Sequence, residues 1–428
     1  MSVSHLTKFH SYDFTNKRIG VIGSGSSAIQ IVPSLQRLPG TQVNTFVRSK
    51  TWISPPFGQQ LWDKIGLQGY SISPEMQAKF HADPEYYQKF RLAIEEDGNG
   101  IHGVTIRGTP IQQGAKELFK EHMKQRLASA PHIFEALLPS FSPGCRRLTP
   151  GPGYLEALTQ PNVSFITSFI NKISESAIHT QDGQAHEIDV LVCATGFQAG
   201  APPPFEVAGQ RGLTIRQKWA ERATSYLSHS LASFPNHFVM LGPNSAIGSG
   251  SLTMMIESLG DYIIRCVRKI QKENIKSMVV KQEREDDFVE YSDAYFENTV
   301  FMEECKSWYR QGGVGKVVGL WPGSTQHCIE ALRSPRWEDF DYVYAGEDED
   351  EEDEGATRVD SPTQAEPGIS VGKKRKRVNR LGWLGNGWSV NQLENRDLAW
   401  YLYPEFMDRP AAPLPEEKST FKIRAFSY

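Results

Sequence analysis

The sequence contains few cysteines, and their spacing excludes the common metal-binding patterns. Five cysteines occur in 428 residues, with no C-x-x-C pair and no histidine at a zinc-type spacing. We therefore predict no metal site, and the odd number and wide spacing favour reduced thiols in an intracellular protein. Cys193 lies in an apolar run, and we expect it to pack in the core without a chemical role.

Long apolar runs and a strong charge of one sign are also missing. No stretch approaches the roughly 18 apolar residues that a membrane-spanning helix needs, and the first residues lack the apolar region of a signal peptide. The net charge of −4 gives no indication of nucleic-acid binding. These features predict a cytoplasmic protein without a transmembrane segment and without a nucleic-acid partner.

A glycine-rich turn between a predicted strand and a predicted helix is the first pattern that indicates chemistry. Arg18–Ile22 is a short apolar run, and residues 23–28 read G-x-G-x-x-A. Ala28–Leu38 then has helical spacing, and Val43–Arg48 is a second apolar run. Strand, glycine turn, helix and strand together predict a βαβ unit.

Each part of this unit suits the binding of a dinucleotide. Gly23 permits the tight turn, Gly25 lets the backbone approach a pyrophosphate, and Ala28 allows helix and strand to pack closely. The helix N-terminus offers free N–H groups to the phosphates. The alternative is a glycine-rich turn in some other α/β protein. The candidate cofactor-binding residues are Gly23, Ser24, Gly25, Ser26, Ser27, Ala28 and Gln30.

The end of the second predicted strand distinguishes the two nicotinamide cofactors. NAD sites usually place an acidic residue there, on the ribose 2′-hydroxyl, whereas this sequence has Arg48, Ser49 and Lys50. A guanidinium and a hydroxyl suit the additional 2′-phosphate of NADP. The alternative is that these side chains are merely solvated. We predict NADPH, with Arg48 and Ser49 as cofactor-binding residues.

Periodicity predicts a helical region and then a return to strands. Residues from about 50 to 140 are mostly helical in composition, as in a cap, and include a helix at Gln113–Ser129. Residues 242–250 form a glycine-rich loop before a long helix at Leu252–Lys272, a second strand–loop–helix pattern. The predicted later strands are Val163–Ile166, Asp189–Cys193 and Phe238–Leu241.

Residues 346–378 differ in composition from the rest of the chain. Glu347–Glu354 is an unbroken acidic run, and Lys373–Arg377 is a basic block. Such blocks bury no apolar surface, so we predict a disordered insertion. The basic block matches a nuclear localisation signal, but a solvated loop, and with it a cytoplasmic protein, is favoured.

Several segments in the same order resemble the class B flavin-dependent monooxygenases, the family of the Baeyer–Villiger and flavin-containing monooxygenases. Residues 17–35 and 47–55 are similar to the NADPH domain of that family. The resemblance runs from about residue 17 to 403 and is interrupted by the insertion. The other matching segments are Gly144–Arg147, Asp189–Phe197, Phe234–Ser245, Ser307–Tyr309, Trp321–Ser324 and Leu384–Ser389.

The resemblance implies an α/β protein with a Rossmann-like NADPH-binding domain, an incomplete FAD-type α/β domain and a helical cap. It also implies a monooxygenase that uses NADPH and FAD to insert one oxygen atom of O2 beside the carbonyl of a ketone, here a polycyclic or secondary-metabolite ketone. The expected divisions are a lead-in at 1–17, the NADPH domain with its helical insertion at 18–145, the remainder of the nucleotide and FAD-type domain at 146–345, the insertion at 346–378 and a C-terminal segment at 379–428.

Further site residues follow from the resemblance. Arg147 matches the family's catalytic arginine, whose fixed charge stabilises negative charge during oxygen transfer. Arg146 matches the position that contacts the NADP phosphate. Thr195 lies in the turn after the strand at 189–193, and Asn244 lies in the segment that approaches the flavin; both are candidate cofactor-binding residues whose alternative is simple turn chemistry.

The family's FAD fingerprint is a second G-x-G-x-x-G, and none precedes Gly23. We therefore expect that this chain does not complete the FAD site by itself. Three hypotheses remain open: a shortened Baeyer–Villiger monooxygenase, a non-catalytic NADP-binding remnant, and a subunit whose FAD domain comes from a partner chain.

Overall fold

A computed structural model describes residues 12–56, 58, 61–62, 71–197, 200–346, 380 and 389–399. The chain divides into a large unit, residues 1–359, and a second unit, residues 360–428. Most of the predicted insertion at 346–378 and of the C-terminal segment at 379–428 lies outside the described residues, as does the basic block Lys373–Arg377.

Within the described residues, strands form three small sheets. The strands are β1 Arg18–Ile22, β2 Gln42–Phe46, β3 Val163–Ile166, β4 Ile170–Ile173, β5 Ala177–Thr180, β6 Ala185–Glu187, β7 Val190–Cys193, β8 Ile275–Val280 and β9 Phe340–Tyr344.

Helices form the rest of the regular structure, together with short 3₁₀ turns. The helices are α1 Ser26–Gln36, α2 Pro74–Ala82, α3 Pro84–Gly100, α4 Pro110–Arg126, α5 Pro131–Leu137, α6 Tyr154–Ala157, α7 Ile215–Lys218, α8 Leu252–Lys272, α9 Gln282–Phe296, α10 Thr325–Ala331 and, in the second unit, α11 Val390–Leu393. Short 3₁₀ turns lie at Ile101–Thr105, Gln210–Gly212, Val300–Met302, Gln311–Gly313 and Trp337–Asp339.

The central sheet is parallel and has the order β3-β2-β1-β7. Ile19 and Val21 of β1 are fully buried because helices cover the sheet, which explains why its strands read as apolar runs. α1 crosses from β1 to β2 and packs Ala28, Ile29 and Val32 against the sheet. The predicted βαβ unit and the α/β class are confirmed.

Strands from both sides of residue 146 build this one sheet. β3 pairs with β2, and β7 pairs with β1. Between β3 and β7 the chain forms an antiparallel three-stranded sheet, β4-β5-β6, which the sequence did not predict. The glycine turn after β1 therefore has the end of β2 on one side and the end of β7 on the other.

Several predicted elements are confirmed and one is wrong. β1, β3 and α8 begin and end at the predicted residues, and four helices from α2 to α5 account for the predicted helical region. Phe238–Leu241 is not a strand: Phe238 makes an isolated bridge to Ser230, and Leu241 has a φ of +55°. A left-handed residue breaks the extended backbone that a strand needs. The predicted second strand–loop–helix pattern therefore lacks its strand.

The prediction of five reduced thiols is wrong. Cys145 and Cys305, 160 residues apart in sequence, form a disulfide. Cys266 and Cys328 are buried free thiols. Cys193 is also free but exposed, so the prediction that it packs in the core is wrong as well. It is the last residue of β7, where the strand leaves the covered part of the sheet.

Within the described residues, no helix is long and apolar enough to cross a membrane. The same part of the chain contains no group of three or more histidine, cysteine, aspartate or glutamate side chains arranged to hold a metal ion.

Candidate nucleotide-binding site

The turn between β1 and α1 has the shape that a phosphate-binding loop requires. Gly23 has a φ of +131°, and a Cβ there would lie 2.3 Å from the carbonyl oxygen of Ala194. Its N–H donates to the carbonyl of Phe46 at 3.1 Å. Only glycine fits this position, because the chain passes between the ends of β2 and β7. The turn is therefore fixed by both neighbouring strands.

Gly25 faces open space, since no atom lies within 4 Å of a Cβ built on it. It is also the N-cap of α1, which has no side-chain cap and no acidic residue in its first turn. The first N–H groups of α1 therefore keep their capacity to bind an anion, and the helix dipole favours negative charge there.

Two serines of the turn, Ser24 and Ser26, form hydrogen bonds within the protein. Ser24 is buried and donates to the carbonyl of Ser49 at 3.0 Å. The hydroxyls of Ser26 and Thr149 lie 2.7 Å apart, so the turn is tied to the segment that carries Arg146 and Arg147. Sequence reasoning missed Thr149, because only the fold brings it to Ser26.

The other residues at the start of α1 differ in their exposure to solvent. Ala28 is fully buried, as the packing of helix on strand requires. Ser27 and Gln30 are exposed on the same helix, and Gln30 Nε2 donates to the carbonyl of Ser26 at 2.9 Å. Ser27 therefore offers a free surface hydroxyl beside the helix N-terminus.

Two guanidiniums lie close together beside this turn. Arg146 Nη1 donates to the carbonyl of Lys50 at 3.2 Å, which places it against the residues that follow β2. Burial and then the charge of Arg48 lower the pKa of Arg146. Arg48 itself is exposed and, within the described residues, forms no ion pair. The pair therefore carries positive charge, and no carboxylate in the described part of the chain forms an ion pair with it.

Arg146 also has an unused donor. Its Nε is buried and has no hydrogen-bond partner among the described residues. The guanidinium carbon lies 5.2 Å from the ring centre of Phe141, which fixes the plane of the group. A half-buried guanidinium with an unpartnered Nε–H fits a phosphate oxygen.

Arg147 has a different environment from Arg146. It is exposed and has no hydrogen bond within the described part of the chain. Its charge reaches Tyr309, a buried residue whose pKa is raised by burial to about 12, against the lowering effect of Arg147. Arg146 thus contacts the residues that follow β2, whereas the charge of Arg147 acts on Tyr309.

The two turn residues after β7 and before α8 differ in what they can offer. Thr195 is exposed and precedes Gly196, which has a φ of +100°. Asn244 is buried, and its side-chain amide donates to the carbonyls of Val317 at 3.2 Å and Leu320 at 2.9 Å. Both of its amide hydrogens are used within the protein, so Asn244 has none left for a cofactor.

The described residues fit the phosphates of a dinucleotide at one place, the turn after β1. They do not include a second glycine turn between a parallel strand and a helix. The described site thus fits one nicotinamide nucleotide and does not by itself account for a flavin adenine dinucleotide.

Comparisons with known proteins identify relatives of this chain. No protein-family profile matches the chain. The FAD-binding monooxygenase tazF of Aspergillus terreus is 36% identical over 396 residues, which are 91% of this chain and 64% of that protein. A Baeyer–Villiger monooxygenase of Pseudomonas aeruginosa is 28% identical over 319 residues, 74% of this chain and 58% of that protein. The chain therefore spans less than two thirds of the length of these relatives.

Solved structures show the same fold at low sequence identity. The crystal structure of cyclohexanone monooxygenase from Rhodococcus sp. Phi1 bound to NADP+ matches with a TM-score of 0.63 and 23% identity. The match covers 78% of this chain and 68% of that one.

Proposed function

Because the chain is a homologue of the FAD-binding and Baeyer–Villiger monooxygenases, we propose that it binds NADPH for a flavin-dependent oxygenation of a ketone. One observation carries the proposal: the uncapped N-terminus of α1 lies beside the Arg48–Arg146 pair, for which the described residues provide no carboxylate partner. A pyrophosphate and a 2′-phosphate are the anions that such a combination fits.

The chain's own residues divide the work of binding. The N–H groups at the start of α1 hold the pyrophosphate, and Gly25 leaves the space for its approach. Arg48, Ser49 and Arg146 hold the 2′-phosphate, with the free Nε of Arg146 as one donor. Exposed Thr195 faces solvent beyond β7, and we assign it to the rim of the same site.

Arg147 is the residue we assign to oxygen transfer. When bound, NADPH supplies the reducing equivalents and FAD the activation of O2. Arg147 places a permanent positive charge, without a partner in the described residues, where negative charge develops on the carbonyl oxygen of the substrate. We propose a polycyclic or secondary-metabolite ketone as that substrate.

The FAD part of the proposal depends on the relatives, since the described residues contain one dinucleotide turn. This observation favours two further candidates: an NADP-binding protein without oxygenase activity, and a subunit whose FAD domain is supplied by a partner chain. All three share the NADPH site, so that site is tested first.

Titration of the purified chain with NADP+ and with NAD+ tests the nucleotide site. We expect NADP+ to bind at least about tenfold more tightly, the effect of one charge-assisted contact of about 1.4 kcal/mol. Arg48→Ala should remove most of this preference by weakening NADP+ alone. Arg216→Ala, an exposed arginine on α7, is the matched control. Equal affinity for both nucleotides in the unaltered chain would exclude the proposed site.

The absorption spectrum separates the three candidates. A flavin spectrum that NADPH bleaches and air restores supports a complete enzyme, and Arg147→Ala should then abolish incorporation of oxygen from labelled O2 while flavin reduction continues. A colourless chain that binds NADP+ supports the other two candidates. Only the partner-dependent subunit gains a flavin spectrum when the protein is co-purified with a second chain.

A further inference from the structure

Two segments far apart in sequence are joined immediately before the arginine pair. Cys145 is linked to Cys305 by the disulfide. The carboxylate of Glu303 accepts hydrogen bonds from the N–H of Ser142 at 2.6 Å and from its hydroxyl at 2.7 Å. We call these four residues the clamp. Two independent links, a covalent bond and a pair of hydrogen bonds to a carboxylate, thus hold residues 142–145 to residues 303–305.

Both sides of the clamp are themselves anchored. Arg310 Nη1 donates to the carbonyl of Glu303 at 3.0 Å, which fixes the segment that contains Cys305. On the other side, Gln112 Nε2 of α4 donates to the hydroxyl of Ser142 at 3.0 Å. The clamp therefore connects two segments that are each hydrogen-bonded to a further part of the fold.

The arginines lie between the clamp and a second anchor. Cys145 directly precedes Arg146 and Arg147 in the sequence. Beyond them, Thr149 is held by the hydroxyl of Ser26 at 2.7 Å and by the N–H of Ser54, which donates to its carbonyl at 3.2 Å. The stretch between the two anchors is short, so loss of the clamp frees the arginines at one end.

The clamp also links the segment of Arg147 to the segment of Tyr309. Tyr309, whose pKa responds to the charge of Arg147, follows Cys305 by four residues in the same segment. The disulfide thus joins the segment that carries Arg147 to the segment that carries its aromatic neighbour.

We propose that Glu303 and the Cys145–Cys305 disulfide are positioning groups for Arg146 and Arg147, and that thiol–disulfide exchange at this pair changes the affinity for NADP. The inference rests on the proposed NADPH site. In the reduction, an external dithiol gives up two hydrogens and becomes a disulfide. The sulfur–sulfur bond between Cys145 and Cys305 breaks, and each sulfur gains one of those hydrogens.

The expected effect is on selectivity. A guanidinium binds phosphate well only when its planar donors are already oriented, so freeing the backbone beside Arg146 weakens the 2′-phosphate contact. The pyrophosphate site on α1 does not include the clamp. Reduction should therefore weaken NADP+ binding and leave NAD+ binding nearly unchanged, whereas general destabilisation would weaken both.

The experiment compares the full chain before and after treatment with dithiothreitol. Thiol titration of the unfolded protein confirms each state, since three thiols are free in the oxidised form and five in the reduced form. We expect reduction to weaken NADP+ binding about fivefold to tenfold, with a change below about twofold for NAD+. The Cys145→Ser, Cys305→Ser double variant should behave as the reduced protein and no longer respond to dithiothreitol.

Glu303→Gln tests the second link in the oxidised protein. It keeps the size of the side chain but removes the charge that Ser142 contacts, and we expect a smaller loss of NADP+ selectivity in the same direction. Glu304→Gln alters the neighbouring exposed carboxylate and should have no effect. If the double variant does not fold, reversible reduction of the unaltered chain still tests the proposal. Circular dichroism then shows whether the reduced chain remains folded.

Two different results would contradict the positioning role and the nucleotide site separately. If the oxidised chain prefers NADP+ and retains the same preference after complete reduction, the positioning role is wrong while the nucleotide site stands. If the oxidised chain shows no preference for NADP+, the proposed nucleotide site itself is wrong.

Discussion

Gly23 and Gly25 belong to one turn but are glycine for different reasons. At Gly23 the φ of +131° and the approach of Ala194 forbid a side chain in the protein itself. At Gly25 the space is open, so the protein tolerates a methyl group and only a ligand competes with it.

This difference predicts opposite outcomes for two alanine variants. Gly23→Ala should lower the free energy of unfolding by about 2 kcal/mol or more, through backbone strain and the clash with Ala194. Gly25→Ala should change stability by less than about 0.5 kcal/mol but weaken NADP+ binding about tenfold. Urea unfolding and nucleotide titration measure both quantities. A Gly25→Ala chain that binds NADP+ normally would show that the pyrophosphate lies elsewhere.

His229 predicts a specific dependence of stability on pH. The ring is fully buried, Nδ1 lies 2.7 Å from the hydroxyl of Ser230, and Nε2 has no partner in the described residues. Burial lowers the pKa of His229 from 6.5 to about 3. Below about pH 6.5 His229 therefore binds a proton in the unfolded chain but stays neutral in the folded chain. The contribution of His229 to stability is complete above that pH and is lost as the pH falls towards 3.

We expect the free energy of unfolding to fall by about 2 kcal/mol from this group between about pH 7.5 and about pH 5. His229→Phe keeps a ring against Tyr226 and Tyr262 but cannot titrate. The variant should show a correspondingly smaller loss between the two pH values, whatever its stability at the higher one. Identical losses in the variant and the unaltered chain would contradict this assignment.

Which site residues the sequence can predict depends on whether their role is local. Gly23, Gly25 and Ala28 act through their own backbone and the adjacent strand, so their spacing is sufficient. Thr149 and Glu303 act through residues more than a hundred positions away, and no local pattern marks them.

At the scale of elements, the local sequence pattern predicts where helices and strands lie better than it predicts which strands pair. The bounds predicted for α8 match the structure to the residue, because apolar residues recur there at helical spacing. In the structure these residues are all buried: Met255, Leu259, Tyr262 and Cys266. The run Phe238–Leu241 has strand composition, but two left-handed residues, Asn236 and Leu241, bend it into turns. The side-chain pattern of such a segment is the same whether or not the backbone is extended.

A buried carboxylate on α9 binds the segment of residues 218–232, which precedes α8 in the chain. Glu285 is 1% exposed; its oxygens accept from the hydroxyl of Thr224 at 2.6 Å and the N–H of Ala232 at 2.7 Å, and Lys218 Nζ lies 3.1 Å away. Removing one partner of a buried, hydrogen-bonded ion pair leaves the other charge unsatisfied.

Glu285→Ala should therefore lower the free energy of unfolding by about 3–5 kcal/mol, as measured by urea denaturation. Glu290→Ala, on the exposed side of the same helix, should change it by less than about 0.5 kcal/mol. Equal effects of the two variants would mean that the helix is held by its apolar face alone.

At the scale of the whole molecule, the nucleotide turn depends on chain segments far apart in sequence. β1 and β2 come from the first 46 residues, whereas β3 and β7 follow the helical region, and the carbonyl after β7 closes the turn at Gly23. Sequence reasoning identified all four strands but assigned the later two to a region beginning at 146. Because parallel strands can be joined by any long crossover, the sequence of a single strand does not determine its position in the sheet.

This dependence predicts that nucleotide binding stabilises the sheet as a unit. NADP+ at about 100 times its Kd should raise the free energy of unfolding by about 2.7 kcal/mol, because the ligand binds only the folded chain. Amide hydrogen exchange should then slow in β7 as well as in β1, although β7 contributes no residue of the glycine turn. At the same concentration the Arg48→Ala chain should show a smaller rise. Protection confined to α1 and the turn, with β7 unchanged, would mean that the phosphate site folds independently of the sheet that surrounds it.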